Sequence, residues 1–121
     1  LMLRLQRERG LALVLISHDL PTVSYAADRI AVMYRGRFVE VAPGESFERQ
    51  ALHPYTRFLF GCEARLPDEP LLEGVHEHLH EAESGCAYLH ACPQHLHECH
   101  HTAPTLREVS PGHFIACHAI G

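Results

Sequence analysis

Residues 11–41 read LALVLISHDLPTVSYAADRIAVMYRGRFVEV, and the order of patterns in this stretch decides the fold. Residues 11–17 (LALVLIS) are a continuous apolar run between two helical patterns, which predicts a strand of a parallel sheet buried on both faces. Such a strand needs neighbours on either side. Asp19 can cap the next helix, with Pro21 in the first turn, where a missing N–H costs little. Leu20, Val23, Ala26 and Ala27 give that helix its apolar face, and Asp28 and Arg29 end it. Residues 30–34 and 38–41 flank Arg35, Gly36 and Arg37, so they predict a β-hairpin closed by Pro43 and Gly44. Upstream, Leu1 and Leu5 stand four apart among charged residues and predict the end of an amphipathic helix stopped by Gly10.

Downstream, residues 46–52 and 55–61 predict two short helices around His53-Pro54, because the residue before a proline is pushed out of helical geometry. Residues 63–83 hold seven acids, one Arg, Pro67 and Pro70, and predict an acidic connector. Leu72, Val75, Leu79 and Ala82 approximate helical spacing there, although Gly74 interrupts it. Residues 86–121 have few large aliphatics and little periodicity, so something other than a hydrophobic core of their own must hold them. The expected organisation is 1–61 as an α/β unit, 62–85 as linker and 86–121 as an irregular cysteine-bearing extension.

The 121 residues are 46% hydrophobic and 21% charged, an ordinary composition for a soluble domain. Lys is absent, and ten Arg against fifteen acids give a formal charge of −5, which offers no footprint for a nucleic-acid backbone. Twelve His would add positive charge as pH falls through about 6.5, so solubility is expected to be poor near the charge crossover. The longest apolar run, residues 11–16, is far below the roughly 20 residues needed to cross a bilayer. The N-terminal residues carry no secretory pattern, so a cytoplasmic location is expected, with the five Cys as thiols or metal ligands rather than disulfides.

Two places could carry chemistry, and the ten His between His76 and His118 are a third candidate, a nickel- or zinc-binding tract. His18, between Ser17 and Asp19, falls at the C-terminal end of the expected strand, the edge where open α/β sheets bind ligands. A neutral imidazole there can hydrogen-bond a phosphate oxygen and a water. Cys86, Cys92, Cys99 and Cys117, spaced C-x5-C-x6-C-x17-C, point to a soft metal centre, and the spacing leaves zinc and an iron–sulfur cluster open. Cys62 stands apart at a helix end and is expected to be a free buried thiol.

LVLISHDL followed by AADRIAVMYRGRFVE resembles the end of the ATPase domain of ATP-binding cassette transporters. HPYTRFL narrows the resemblance to the ATP-binding subunits of dipeptide, oligopeptide and nickel importers, and GCAYLHACP with PTLREVSPGHFIACH is similar to their C-terminal extension. The resemblance implies an α/β fold, the C-terminal fragment of a RecA-like ABC ATPase domain. It implies that His18 is the switch histidine, which contacts the terminal phosphate of ATP while an upstream glutamate acts as base. The P-loop, with its Lys, the signature loop and that glutamate have no counterpart in these residues, so the isolated chain is expected to be inactive.

By the same resemblance, Cys86, Cys92, Cys99 and Cys117 would hold a 4Fe-4S cluster, with zinc as the alternative. ATP and magnesium would bind only in the full-length subunit. That subunit would pair with a second ATPase subunit and dock on membrane permease subunits at the inner face of the cell membrane. The fragment alone is expected to self-associate through residues 11–16. His76, His78, His80, His95, His97, His100 and His101 occupy positions where the family carries mostly Pro, Arg and other polar residues, so they read as drifted surface positions. Two other readings remain: a stand-alone metal-binding interaction module, or a truncated frame without function.

Overall fold

In a computed structural model, the chain is described at residues 1–45, 47–63 and 84–120, with the backbone alone for residues 62 and 63. Most of the expected connector, including His76, His78 and His80, lies outside the described residues, as does the Cys62 side chain.

Helix α1 (Met2–Arg9) ends where Gly10 takes a left-handed conformation, φ 62°, and returns its N–H to the Gln6 carbonyl. An exposed Arg4–Glu8 pair at 3.4 Å spans one turn and contributes a few tenths of a kcal/mol. None of its residues is buried. Residues 11–17 form no strand, against the sequence expectation, and Val14 and Ile16 are 93% and 94% exposed. The physical reason is pairing: β structure needs a neighbouring ladder, and no described strand lies alongside this run.

Helix α2 (Leu20–Ala26) starts as expected, with the Asp19 carboxylate accepting the Thr22 N–H at 3.5 Å and bonding the Thr22 hydroxyl. The hairpin follows. Strands β1 (Arg29–Tyr34) and β2 (Arg37–Pro43) pair antiparallel from Arg29↔Pro43 to Tyr34↔Arg37, with an irregularity after Val32. Arg35 and Gly36 both have positive φ, 47° and 76°, which matches the right-handed twist of a tight hairpin. The exit is equally tight: Gly44 donates to the Asp28 carbonyl at 2.8 Å, and a Cβ there would sit 1.9 Å from the Ala27 carbonyl oxygen.

Helices α3 (Phe47–Gln50) and α4 (Pro54–Glu63) then cover one face of the hairpin. Ile30, Val32, Val39, Ala42 and Phe47 form the core, with Val23, Ala27, Tyr34, Tyr55, Leu59 and Phe60 packed around it. Burying a side chain such as Phe47 contributes about 2–3 kcal/mol.

Residues 84–120 are more regular than expected. Two 3-10 turns, Leu89–Ala91 and His97–His100, precede a second hairpin made of β3 (Arg107–Ser110) and β4 (His113–Ile115), which turns at Gly112, φ 74°. Strand β4 joins β2 antiparallel through Glu40↔Ile115 and Val41↔Phe114, giving one four-stranded sheet in the order β1-β2-β4-β3. This segment thus needs no core of its own. Ile115, Ala116, Tyr88 and Leu89 are buried where it meets the hairpin and α4, so tertiary pairing supplies what the local sequence lacks.

Candidate functional site

The strongest constellation among the described residues is a buried polar junction centred on Glu40. The register that sets Glu40 opposite Val32 and Ile115 turns its side chain inward, where it is 0% exposed. A buried carboxylate is costly unless its oxygens are hydrogen-bonded. Its Oε1 accepts the Leu52 N–H at 2.9 Å, and its Oε2 accepts the His53 N–H at 3.0 Å. His113 Nε2 stands 2.7 Å from Oε1. Where the carboxylate accepts this bond, Nε2–H of His113 is the donor.

His53 extends the junction. Its Nδ1 accepts the Tyr55 N–H at 3.1 Å, which satisfies a donor at the start of α4 that has no intrahelical partner. The ring also faces the Ala116 backbone, which favours its charged form. Burial pushes the His53 imidazole below the usual histidine range, opposed by the negative charge of Glu40 and by the Ala116 backbone. The HPYT motif is therefore a joint: His53 faces the sheet and the C-terminal hairpin, Pro54 opens the helix, and Tyr55 packs alongside.

Three tyrosines from separate segments meet beside it. Ring centroids of Tyr34 and Tyr55 are 4.6 Å apart, Tyr34 and Tyr88 5.2 Å, and Tyr55 and Tyr88 5.4 Å. Rings this close pack on one another and leave no gap for a ligand between them. The adjoining cavity, lined in part by His53, Cys86 and Tyr88, has a volume of about 30 Å3. That is room for on the order of one water molecule.

His18 lies elsewhere. It is exposed just before α2, and its neighbours serve the helix start: the Ser17 hydroxyl accepts the Asp19 N–H at 3.0 Å, and Asp19 caps.

Cys86, Cys92, Cys99 and Cys117 are all free, the first two half-buried and the last two buried. Cys86 donates its N–H to the Cys99 carbonyl at 2.8 Å, and Cys99 Sγ accepts the Leu96 N–H at 3.4 Å. Burial pushes the Cys86 and Cys92 thiols up, and neighbouring thiols push them further. The four thus lie near one another, but proximity is not a ligand shell. Among the described residues no group of three or more His, Cys, Asp or Glu is arranged to hold a metal ion. The expected 4Fe-4S cluster on these cysteines, and its zinc alternative, are corrected accordingly. The segment is held to the sheet by β2–β4 pairing and the Glu40 junction.

The exposed His95, His97, His100 and His101 gather on the surface, with paired ring centroids 5.0–6.4 Å apart. His118 is engaged structurally: its Nε2 donates to the Thr102 carbonyl at 2.9 Å, and Nδ1 is 3.5 Å from Glu98. Arg107 donates to the carbonyls of Cys117, at 3.2 Å, and Ile120, fastening the C-terminal residues to β3.

Glu40 and His113 are absent from the sequence-level candidates. Glu40 left a signal, a lone acid between Val39 and Val41 in an apolar strand pattern, while His113 was one of twelve His with no local mark.

Among the described residues no helix is long and apolar enough to cross a membrane. The family model described as "Oligopeptide/dipeptide transporter, C-terminal region" matches residues 39–99, which include Glu40, HPYT and three of the four cysteines. A Bacillus subtilis protein named for oligopeptide transport and ATP binding, YkfD, is 38% identical over 126 aligned residues, covering 98% of this chain and 38% of its own length. A Brucella ovis protein named as a peptide import ATP-binding protein is 40% identical, covering 93% of this chain and 37% of its own length. A Sinorhizobium fredii protein named for peptide ABC transport and ATP binding is 39% identical, covering 98% and 35%. The chain thus spans well under half the length of these relatives, and it belongs to the oligopeptide/dipeptide transporter C-terminal family.

Proposed function

We propose that this chain acts as the C-terminal part of the ATP-binding subunit of a peptide-importing ABC transporter. The single observation that carries the reading is the family match over residues 39–99, together with relatives named for peptide import and ATP binding that align with nearly the whole chain. In the complete subunit His18 is the switch histidine, contacting the terminal phosphate of ATP held with magnesium. Its exposed position ahead of α2 leaves it open to such a contact. The bare apolar side chains of residues 11–16 suit a stretch covered by further chain of the subunit. The partners are a second ATPase subunit and the membrane permease components, with the subunit peripheral on the cytoplasmic face. Nothing among the comparisons favours nickel over peptides as cargo.

The test is His18→Ala in a full-length subunit carrying this segment. Hydrolysis should fall by roughly a hundredfold, as for loss of a transition-state hydrogen-bond donor, while nucleotide binding is retained. Unchanged turnover would remove His18 from the chemistry. Unchanged peptide uptake in cells lacking the subunit would remove the transport reading.

A further inference from the structure

We propose that Glu40 is the positioning residue of a buried clasp that fastens the Cys-bearing segment to the sheet, and that the clasp opens as a unit while β1 and β2 stay paired. This goes beyond the transport reading and does not depend on it.

The observations divide the contacts in two. The core of Ile30, Val32, Val39, Ala42 and Phe47, with Val23, Ala27, Tyr34, Tyr55, Leu59 and Phe60 around it, draws no residue from 84–120. The β1–β2 ladder runs through six paired positions and is closed by its own turn. If residues 84–120 left, that unit would keep its core, its ladder and the Tyr34–Tyr55 contact.

What joins the segment is a separate interface, in which buried Ile115, Ala116, Tyr88 and Leu89 accompany a few polar contacts. Strand β4 meets β2 at two paired positions, and Ala116 donates its N–H to the Val39 carbonyl at 2.9 Å. Tyr88 fits against Tyr34 and Tyr55. His53 reaches Ala116, and His113 donates to Glu40. Glu40 stands at the centre, because its Oε1 holds both the Leu52 N–H ahead of α4 and the His113 ring from β4. One side chain thereby sets the position of β4 relative to the HPYT joint. Opening lets water reach a carboxylate that is fully buried when closed, so the charge does not oppose release as it would in a dry site. A local opening with these properties is a separate cooperative step, distinct from global unfolding.

The test is hydrogen exchange, read by mass spectrometry or NMR, on the whole 121-residue chain and on His113→Phe, which removes the donor to Glu40 but keeps a ring. Loss of a hydrogen bond to a charged group should speed exchange at β4 and Ala116 by roughly ten- to a hundredfold, with β1–β2 amides unchanged. His113→Gln, which keeps a side-chain N–H donor, should restore much of the protection. Equal acceleration of β1–β2 and β4 would overturn the proposal, since the segment and hairpin would then be one cooperative unit. No acceleration at β4 would overturn the role of Glu40. If the variant does not fold, exchange of the unaltered chain across low urea concentrations decides: β4 and Ala116 must open at lower free energy than β1–β2, and coincident opening defeats the idea.

Discussion

Glu40 and His113 are 73 positions apart in sequence, yet Oε1 and Nε2 meet at 2.7 Å with both side chains buried. The bond crosses from β2, inside the first hairpin, to β4, inside the last. It is made possible by the antiparallel register Glu40↔Ile115, which brings His113 within reach of the inward face. The two hairpins are thus held at one point.

Glu40→Ala leaves the Leu52 and His53 N–H groups and the His113 ring without their acceptor. Breaking a buried charged network from one side costs about 3–5 kcal/mol. Urea denaturation should show a loss in that range, and Glu40→Gln, which keeps one oxygen, should fall in between. A loss below about 0.5 kcal/mol for the alanine variant would mean the junction is solvated in solution.

The His53 imidazole is held below its ordinary value, chiefly by burial. The folded protein therefore binds a proton at His53 less readily than the unfolded chain does. This contribution to stability is fully present above the unfolded value near 6.5 and is lost as pH falls from there toward the depressed folded value. Thermal melts between pH 7.5 and 5 should show that decline, and the slope should shrink in His53→Asn. A slope identical in both proteins would assign the effect to other groups.

At Gly85 a Cβ would stand 2.5 Å from the Cys99 carbonyl oxygen and 3.0 Å from that of His100. Both obstacles are backbone, which cannot rotate aside. Gly85→Ala should destabilise the chain by about 1–3 kcal/mol through overpacking, with exchange rising across residues 86–100. Gly61→Ala is the control, because nothing lies within 4 Å of its Cβ and alanine suits the interior of α4. Equal melting temperatures for the two variants would contradict the close approach at Gly85.

Burial pushes the Cys86 and Cys92 thiols above the ordinary cysteine value, and only the thiolate alkylates. With iodoacetamide near pH 8, both should label at least several-fold more slowly than an unstructured thiol of a short peptide, and catch up in denaturant. Peptide mapping by mass spectrometry reads each site separately. Labelling of Cys86 at the free-thiol rate would show that its environment is open.

Local chemistry alone marked out several elements. The Asp19 cap, the positive-φ turn at Arg35 and Gly36, and the helix boundary at His53-Pro54 each depend on residues within a few positions of one another. Hence the helix after Asp19, the first hairpin and the paired helices around HPYT were all legible, as was the family, whose motifs are contiguous. Residues 11–17 read as a strand by apolar content, which says what a segment can bury, but only a partner ladder makes it β, and no described strand lies alongside it.

The sequence by itself determined these short-range elements and the family. Only the tertiary structure decided the role of Glu40, the use of His53 and His113, and the docking of β4 on β2. The same holds for the four cysteines, whose spacing suggested a metal centre, although the described residues place no metal-holding group there. The physical reason is that hydrogen-bond partners and ligand shells are properties of distance and direction in space. A carboxylate on one strand and an imidazole 73 residues later carry no sign of each other until an antiparallel register brings them to 2.7 Å.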